Sequence, residues 1–182
     1  MQDVLIRDGV AADVAALLEI ESRAASLLLE HGGHDLLAMH ALSRDDLLSG
    51  VQSGLLRVAE VAATPVGFAL AGEIDGHAQL FEMDVDPEHG RRGIGSMLLA
   101  SVCEAATALG LQSITLVTLR EVPWNAPFYA RRGFVEMVEA KWGRQLKRLI
   151  ERELSLGIDP QSRVVMRRPL PFSPGRRCQQ GG

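Results

Sequence analysis

The stretch Leu80–Leu99, LFEMDVDPEHGRRGIGSMLL, decides how this chain folds. Leu80 to Val85 reads as a strand, and Asp86 to Arg92 as a polar turn opened by Pro87. From Gly93 to Leu109 the apolar residues Ile94, Met97, Leu98, Val102, Ala105 and Leu109 recur at the spacing of one buried helix face. A strand, a glycine-rich turn and a helix start make a ready anion site. The first helix amides lack internal partners, and the helix dipole adds partial positive charge there. Gly93 and Gly95 clear side chains from the path of a phosphate, and Arg91 and Arg92 add full charges beside it.

Two familiar phosphate turns do not fit. A P-loop needs Lys-Ser or Lys-Thr after its last glycine, whereas Ser96-Met97 follows Gly95. A dinucleotide-binding turn needs a third glycine where Leu98 stands. What remains resembles motif A of the GNAT superfamily N-acetyltransferases, Gln/Arg-x-x-Gly-x-Gly/Ala, read here as Gly90-Arg91-Arg92-Gly93-Ile94-Gly95. Gly90 departs from the motif's first position and leaves the amide cradle as the binding element. The resemblance implies that Arg91, Arg92, Gly93, Ile94, Gly95 and Ser96 hold the pyrophosphate of acetyl-coenzyme A. The alternative is an ordinary helix start whose glycines serve close packing.

Downstream, Gly110 stops the helix, and Ser113–Leu119 is an apolar run suited to a central strand parallel to the first. Then follows VPWNAPFYARRGF, residues 122–134, a short helix ended by Gly133 and leading into a strand through Glu139. It resembles motif B of the same superfamily, with Asn125, Tyr129 one turn on, and Gly133-Phe134. Asn125 is either a helix cap or a contact for the pantetheine arm, and Tyr129 either core or general acid. Trp124 reads as packing. The two motifs in order extend the resemblance over roughly residues 3 to 140. It implies a mixed α/β (α+β) fold, a mostly antiparallel central sheet of about seven strands flanked by helices.

The rest of the chain fits that plan. Asp3–Arg7 reads as a strand and Asp13–Leu29 as a helix with Val14, Leu17, Leu18, Ala25 and Leu28 on its apolar face. Glu21 falls on that face, where it either lines a pocket for a cationic amine or reaches solvent at the stripe's edge. Residues 30–40 read as a loop whose histidines His31, His34 and His40 have no ligand partner at a metal spacing, so no metal is expected. Ser43 suits the cap of a second helix ending at Gly50 or Gly54. Leu55–Ala63 and Val66–Ile74 form strands around a turn at Thr64-Pro65, and Asp75-Gly76 makes a second hairpin turn. Trp142–Leu156 reads as an amphipathic helix added to the simplest form of the fold, able to cover one side of an acceptor site or form a homodimer contact. Arg163–Arg168 is a last strand, and the Pro- and Gly-rich end, 171–182, reads as a disordered tail after a single domain of residues 1–170.

Composition narrows the function. The 182 residues are 47% hydrophobic and 23% charged with net charge −4, a globular composition without the basic excess of a nucleic-acid binder. No apolar run reaches a membrane span, and Cys103 and Cys178, far apart, suit a reducing, cytoplasmic compartment. The resemblance implies an acyltransferase moving acetyl from acetyl-coenzyme A to a primary amine, on a small molecule or a protein, by direct attack in a ternary complex. Met83 and Val85 then contact the coenzyme, the Val85 amide faces the thioester carbonyl, Glu82 is general base and Tyr129 general acid. Asp84 shares the strand face of Glu82 and competes for its role. Cys103 has no histidine nearby in sequence to make it a nucleophile. The alternative is a coenzyme A-binding sensor or interaction module that kept the fold without the chemistry.

Overall fold

The computed structural model describes residues 3–30 and 42–171. The loop histidines, Cys178 and the tail beyond residue 171 lie outside the described residues. Seven strands form one sheet in the order β1-β2-β3-β4-β5-β7-β6: β1 Val4–Asp8, β2 Leu56–Val61, β3 Thr64–Ile74, β4 His77–Val85, β5 Ser113–Leu119, β6 Val135–Glu136 and β7 Arg163–Pro169. Only β4 and β5 pair in parallel; every other neighbouring pair is antiparallel. The helices are α1 Val14–Glu30, α2 Arg44–Ser53, α3 Ile94–Ala108, α4 Ala126–Ala130 and α5 Arg144–Ser155.

Local chemistry accounts for the element ends. Ser43 and Asp46 form a reciprocal capping box at the start of α2, and Gly54, at φ +70°, ends it. The β2–β3 turn is Ala62-Ala63, at φ +50° and +62°, not Thr64-Pro65, which lie inside β3. Paired left-handed residues give the primed turn whose twist matches a hairpin, and here alanine supplies them. Asp75-Gly76 turns as expected, at φ +51° and +76°. The strand after motif B is only the two residues of β6 and does not run to Glu139. α5 begins two residues later than expected because its cap comes from elsewhere. Asp75 accepts hydrogen bonds from the Gln145 and Leu146 amides at 3.0 and 2.9 Å, while Gln145 Oε1 accepts from the Asp75 amide at 2.5 Å.

Two layers cover the sheet. α3 packs on one face in the main core, with Ile94, Leu98, Leu99, Val102, Cys103, Ala105 and Ala106 buried. Met97 and Leu109, expected on that stripe, are instead 40% and 57% exposed, because the stripe centres on Leu98, Val102 and Ala106. On the other face α1 and α2 bury Val14, Leu17, Ile20 and Leu47 against Val58, Phe68 and Leu70. α5 covers the far end of that face through Leu146, with Leu149 and Ile150, over Val165 and Val117.

Candidate active site

The site lies where β4 and β5 part. Their pairing ends at Leu80–Leu116, although β5 continues to Leu119 against β7. Just there β4 carries an extra residue: Leu80 opposes Ala71 and Glu82 opposes Leu70, so Phe81 bulges. Beyond it β4 pairs only with β3. The Asp86 amide donates to Val66 O at 2.9 Å, so by strand alternation the backbone groups of Met83 and Val85 point to the open edge. Their side chains pack against the main core beneath α3, on the face opposite Glu82 and Asp84.

The turn after β4 leads straight to the start of α3. Asp86 caps a short 3₁₀ turn through the Glu88 amide and pairs with Arg23 of α1 at 2.8 Å, fixing the turn to α1. Arg91 at φ +59° and Gly93 at φ +82° bend the chain so that successive amides converge. The Ser96 and Met97 amides both donate to Gly93 O, at 3.0 and 3.2 Å. The Ile94 and Gly95 amides have no partner among the described residues. The free donors of the cradle are thus earlier than Ser96, whose amide is already spent. A Cβ on Gly95 would meet Phe128 Cζ at 3.6 Å and Met83 Cε at 3.8 Å, which places Gly95 on the floor of the slot between α3, α4 and β4. This cradle suits a pyrophosphate, and the open edge suits an extended amide-bearing arm.

α4 supplies the opposite wall. Asn125 precedes its first residue, and its side chain makes no capping hydrogen bond. Tyr129 is 7% exposed and packs edge-on to Phe128 and Phe134, with ring centroids 5.1 and 5.5 Å apart. No described group hydrogen-bonds its hydroxyl. Burial raises the phenol's pKa, and the charges of Glu82 and Asp84 raise it further, so Tyr129 stays protonated at neutral pH.

The carboxylates gather from two elements. Glu82 is lifted from its ordinary 4.5 to about 7, first by desolvation and then by the charge of Glu21 on α1, with Arg163 opposing. Asp84 is raised by the same burial and by both glutamates. Glu21 Oε1 also lies 3.4 Å from the Leu42 amide. The structure therefore brings Glu21, Glu82, Asp84 and Tyr129 together, whereas Arg91 and Arg92 are exposed and Trp124 lies at the surface. The periodicity of α4 could have shown one residue that motif reading missed. Arg132, four after Phe128, reaches Ser96 Oγ at 2.5 Å. Arg163, paired with Glu153 of α5 at 2.8 Å, was also missed, since it comes from a distant strand. Cys103 is buried in α3, and desolvation raises its thiol pKa, the opposite of an activated nucleophile. Among the described residues there is no group of three or more His, Cys, Asp or Glu able to hold a metal, and no helix long and apolar enough to cross a membrane.

Residues 52–136 match the family model of the acetyltransferase (GNAT) domain. Solved structures of the same fold include the ribosomal-protein-S18-alanine N-acetyltransferase of Escherichia coli, 18% identical over 94% of this chain and 96% of that one, TM-score 0.64. The PaiA N-acetyltransferase of Thermoplasma acidophilum, in complex with coenzyme A, is 20% identical over 92% and 99%, TM-score 0.67. The N-acetylglutamate synthase of Neisseria gonorrhoeae, complexed with coenzyme A and N-acetyl-glutamate, is 18% identical over 94% of this chain and 36% of that one, TM-score 0.67. The matched segment runs from the end of α2 through motif A to motif B, and over it the chain is similar to the GNAT acetyltransferase domain.

Proposed function

We propose that the protein is an acetyl-coenzyme A-dependent N-acetyltransferase acting by direct attack of a primary amine, in one domain of residues 1–170 and in the cytoplasm. The carrying observation is the open edge of β4 at Met83–Val85, set between a helix-start cradle and the Tyr129–Glu82 pair. When bound, acetyl-coenzyme A supplies the acetyl group as a thioester. The Ile94 and Gly95 amides hold its pyrophosphate, and Asn125 with the Met83 and Val85 backbone holds the pantetheine arm. The Val85 amide donates to the carbonyl oxygen as charge builds there. Glu82 accepts the proton lost by the ammonium form of the acceptor, directly or through one water, and a carboxyl titrating at about 7 is matched to that task. As the C–N bond forms and the C–S bond breaks, the Tyr129 hydroxyl donates to the departing thiolate, and the second proton leaving the nitrogen restores the phenol. Glu21 and Asp84 favour a cationic acceptor by charge. The acceptor is an amine of a small molecule, as the synthase's acetylated amino acid would suggest, or of a protein, as the alanine acetyltransferase's name would.

Gly90, in the place of Gln or Arg, favours a second reading as a coenzyme-binding module without turnover. One experiment separates them: coenzyme release over a panel of amines and peptides, beside coenzyme A affinity by calorimetry. Release with at least one acceptor supports the enzyme; binding without release over a broad panel supports the module; absence of binding refutes both.

A further inference from the structure

Arg132 lies on the turn after α4, and the mechanism above gives it no role. Its guanidinium carbon sits 3.5 Å from the centroid of the Phe128 ring. Nη1 donates to Phe128 O at 2.9 Å, and Nε and Nη2 donate to Ser96 Oγ at 3.2 and 2.5 Å. The side chain thus spans from α4 to the first turn of α3, across the mouth of the slot. Arg7, Arg23, Arg57, Arg120 and Arg163 each pair with an Asp or Glu. Arg132 has no carboxylate partner among the described residues. It is half-buried, and its donors meet only neutral oxygens. A cation drawn out of water without a counter-ion is costly, so its position calls for an anion from outside the chain. Desolvation, followed by the charge of Arg131, depresses its pKa, consistent with that position.

We propose that Arg132 is the fixed charged partner of the coenzyme's pyrophosphate, reaching it from α4 while the Ile94 and Gly95 amides reach it from α3. The proposal rests on the coenzyme reading above. Stacking on Phe128 and the hydrogen bonds to Ser96 Oγ and Phe128 O hold the guanidinium beside the first turn of α3 and leave one N–H on each of Nη1 and Nη2 for phosphate oxygens. Arg91 and Arg92, exposed on the turn, supply only screened attraction. Binding would thus clasp α4 to α3 through the ligand.

The test compares coenzyme A, by calorimetry, with pantetheine, by ligand NMR; pantetheine keeps the thiol arm and lacks every phosphate. In Arg132→Met, coenzyme A affinity should fall about 10- to 100-fold and its salt dependence should become shallower, while pantetheine affinity stays within about 2-fold. Arg132→Lys should recover part of the loss. Equal weakening of both ligands in a folded Arg132→Met, checked by its melting transition, would make Arg132 a structural tie and overturn the proposal, as would unchanged coenzyme A affinity. A wild-type protein that binds no coenzyme A would overturn the coenzyme reading itself, and the two failures are told apart by the wild-type titration alone.

Discussion

The charge of Glu82 acts on Tyr129, and that of Glu21 acts on Glu82. If Glu82 is the base, kcat/KM should fall below a pH of about 7, where its carboxyl becomes protonated. Removing a neighbouring negative charge lowers a carboxyl pKa, so Glu21→Gln should move that acid limb to lower pH. Glu82→Gln should cut turnover by about 10²- to 10⁴-fold at neutral pH, with recovery as rising pH supplies free-base amine. If instead Asp84→Asn removes turnover and Glu82→Gln keeps it, the base is Asp84. Tyr129→Phe should lower turnover about 10- to 1,000-fold and leave coenzyme A affinity intact, since only a hydroxyl without a hydrogen-bond partner among the described residues is lost. Wild-type turnover in that variant would reduce Tyr129 to packing. The strand phase of Glu82 and Asp84 was readable in the sequence because alternation is local. That Glu21 would stand beside them was open, since α1 and β4 are far apart in the sequence and meet only in the folded chain.

The elements were legible wherever one local signal sufficed. The apolar run Ser113–Leu119 is β5 to the residue, and Ser43 caps α2 as its chemistry requires. The Ala62-Ala63 turn was not legible, because alanine carries no sign that it will adopt positive φ. The start of α5 was hidden for another reason: its cap, Asp75, lies 70 residues earlier. Gly143 permits that contact, since a Cβ there would overlap the Asp75 carboxylate. Asp75→Ala should therefore destabilise the protein by about 0.5–2 kcal/mol, measured by denaturant unfolding. The effect should centre on α5 and on the cavity of about 100 Å³ that Asp75 and Gly143 line with Leu146. At the other end of the slot, Gly95→Val should abolish coenzyme A binding, because its branches project toward Phe128 and Met83. Undiminished affinity would remove the pyrophosphate from that cradle.

For the whole molecule, the raised carboxyls tie stability to pH. Glu82 holds its proton more tightly folded than unfolded, so its favourable contribution is complete below about pH 4.5 and disappears as pH rises through about 7. The ligand-free protein should melt lower at pH 8 than Glu82→Gln does, and the gap should close near pH 5. A bound cationic acceptor should offset the cost by neutralising the cluster. An equal melting difference at both pH values would show that Glu82 is not strained by its surroundings. If Glu82 is the base, this trade of stability for a poised carboxyl is a known cost of active sites.

The bulge at Phe81 has a consequence best put as parity. Before it, the even-numbered Ala78 and Leu80 belong to the core under α3; after it, the odd-numbered Met83 and Val85 do. One extra residue reverses odd and even for the rest of the strand. Were the bulge flattened with Phe81 kept in the ladder, Glu82 and Asp84 would turn inward beneath α3, and two carboxylates would enter the apolar interior in place of two hydrophobic side chains; deleting Phe81 would remove the extra residue and leave them facing the cleft. With Phe81→Ala the count is kept, and so is the fold. In this chain one residue left out of the ladder separates an interior that excludes charge from a cleft that concentrates it.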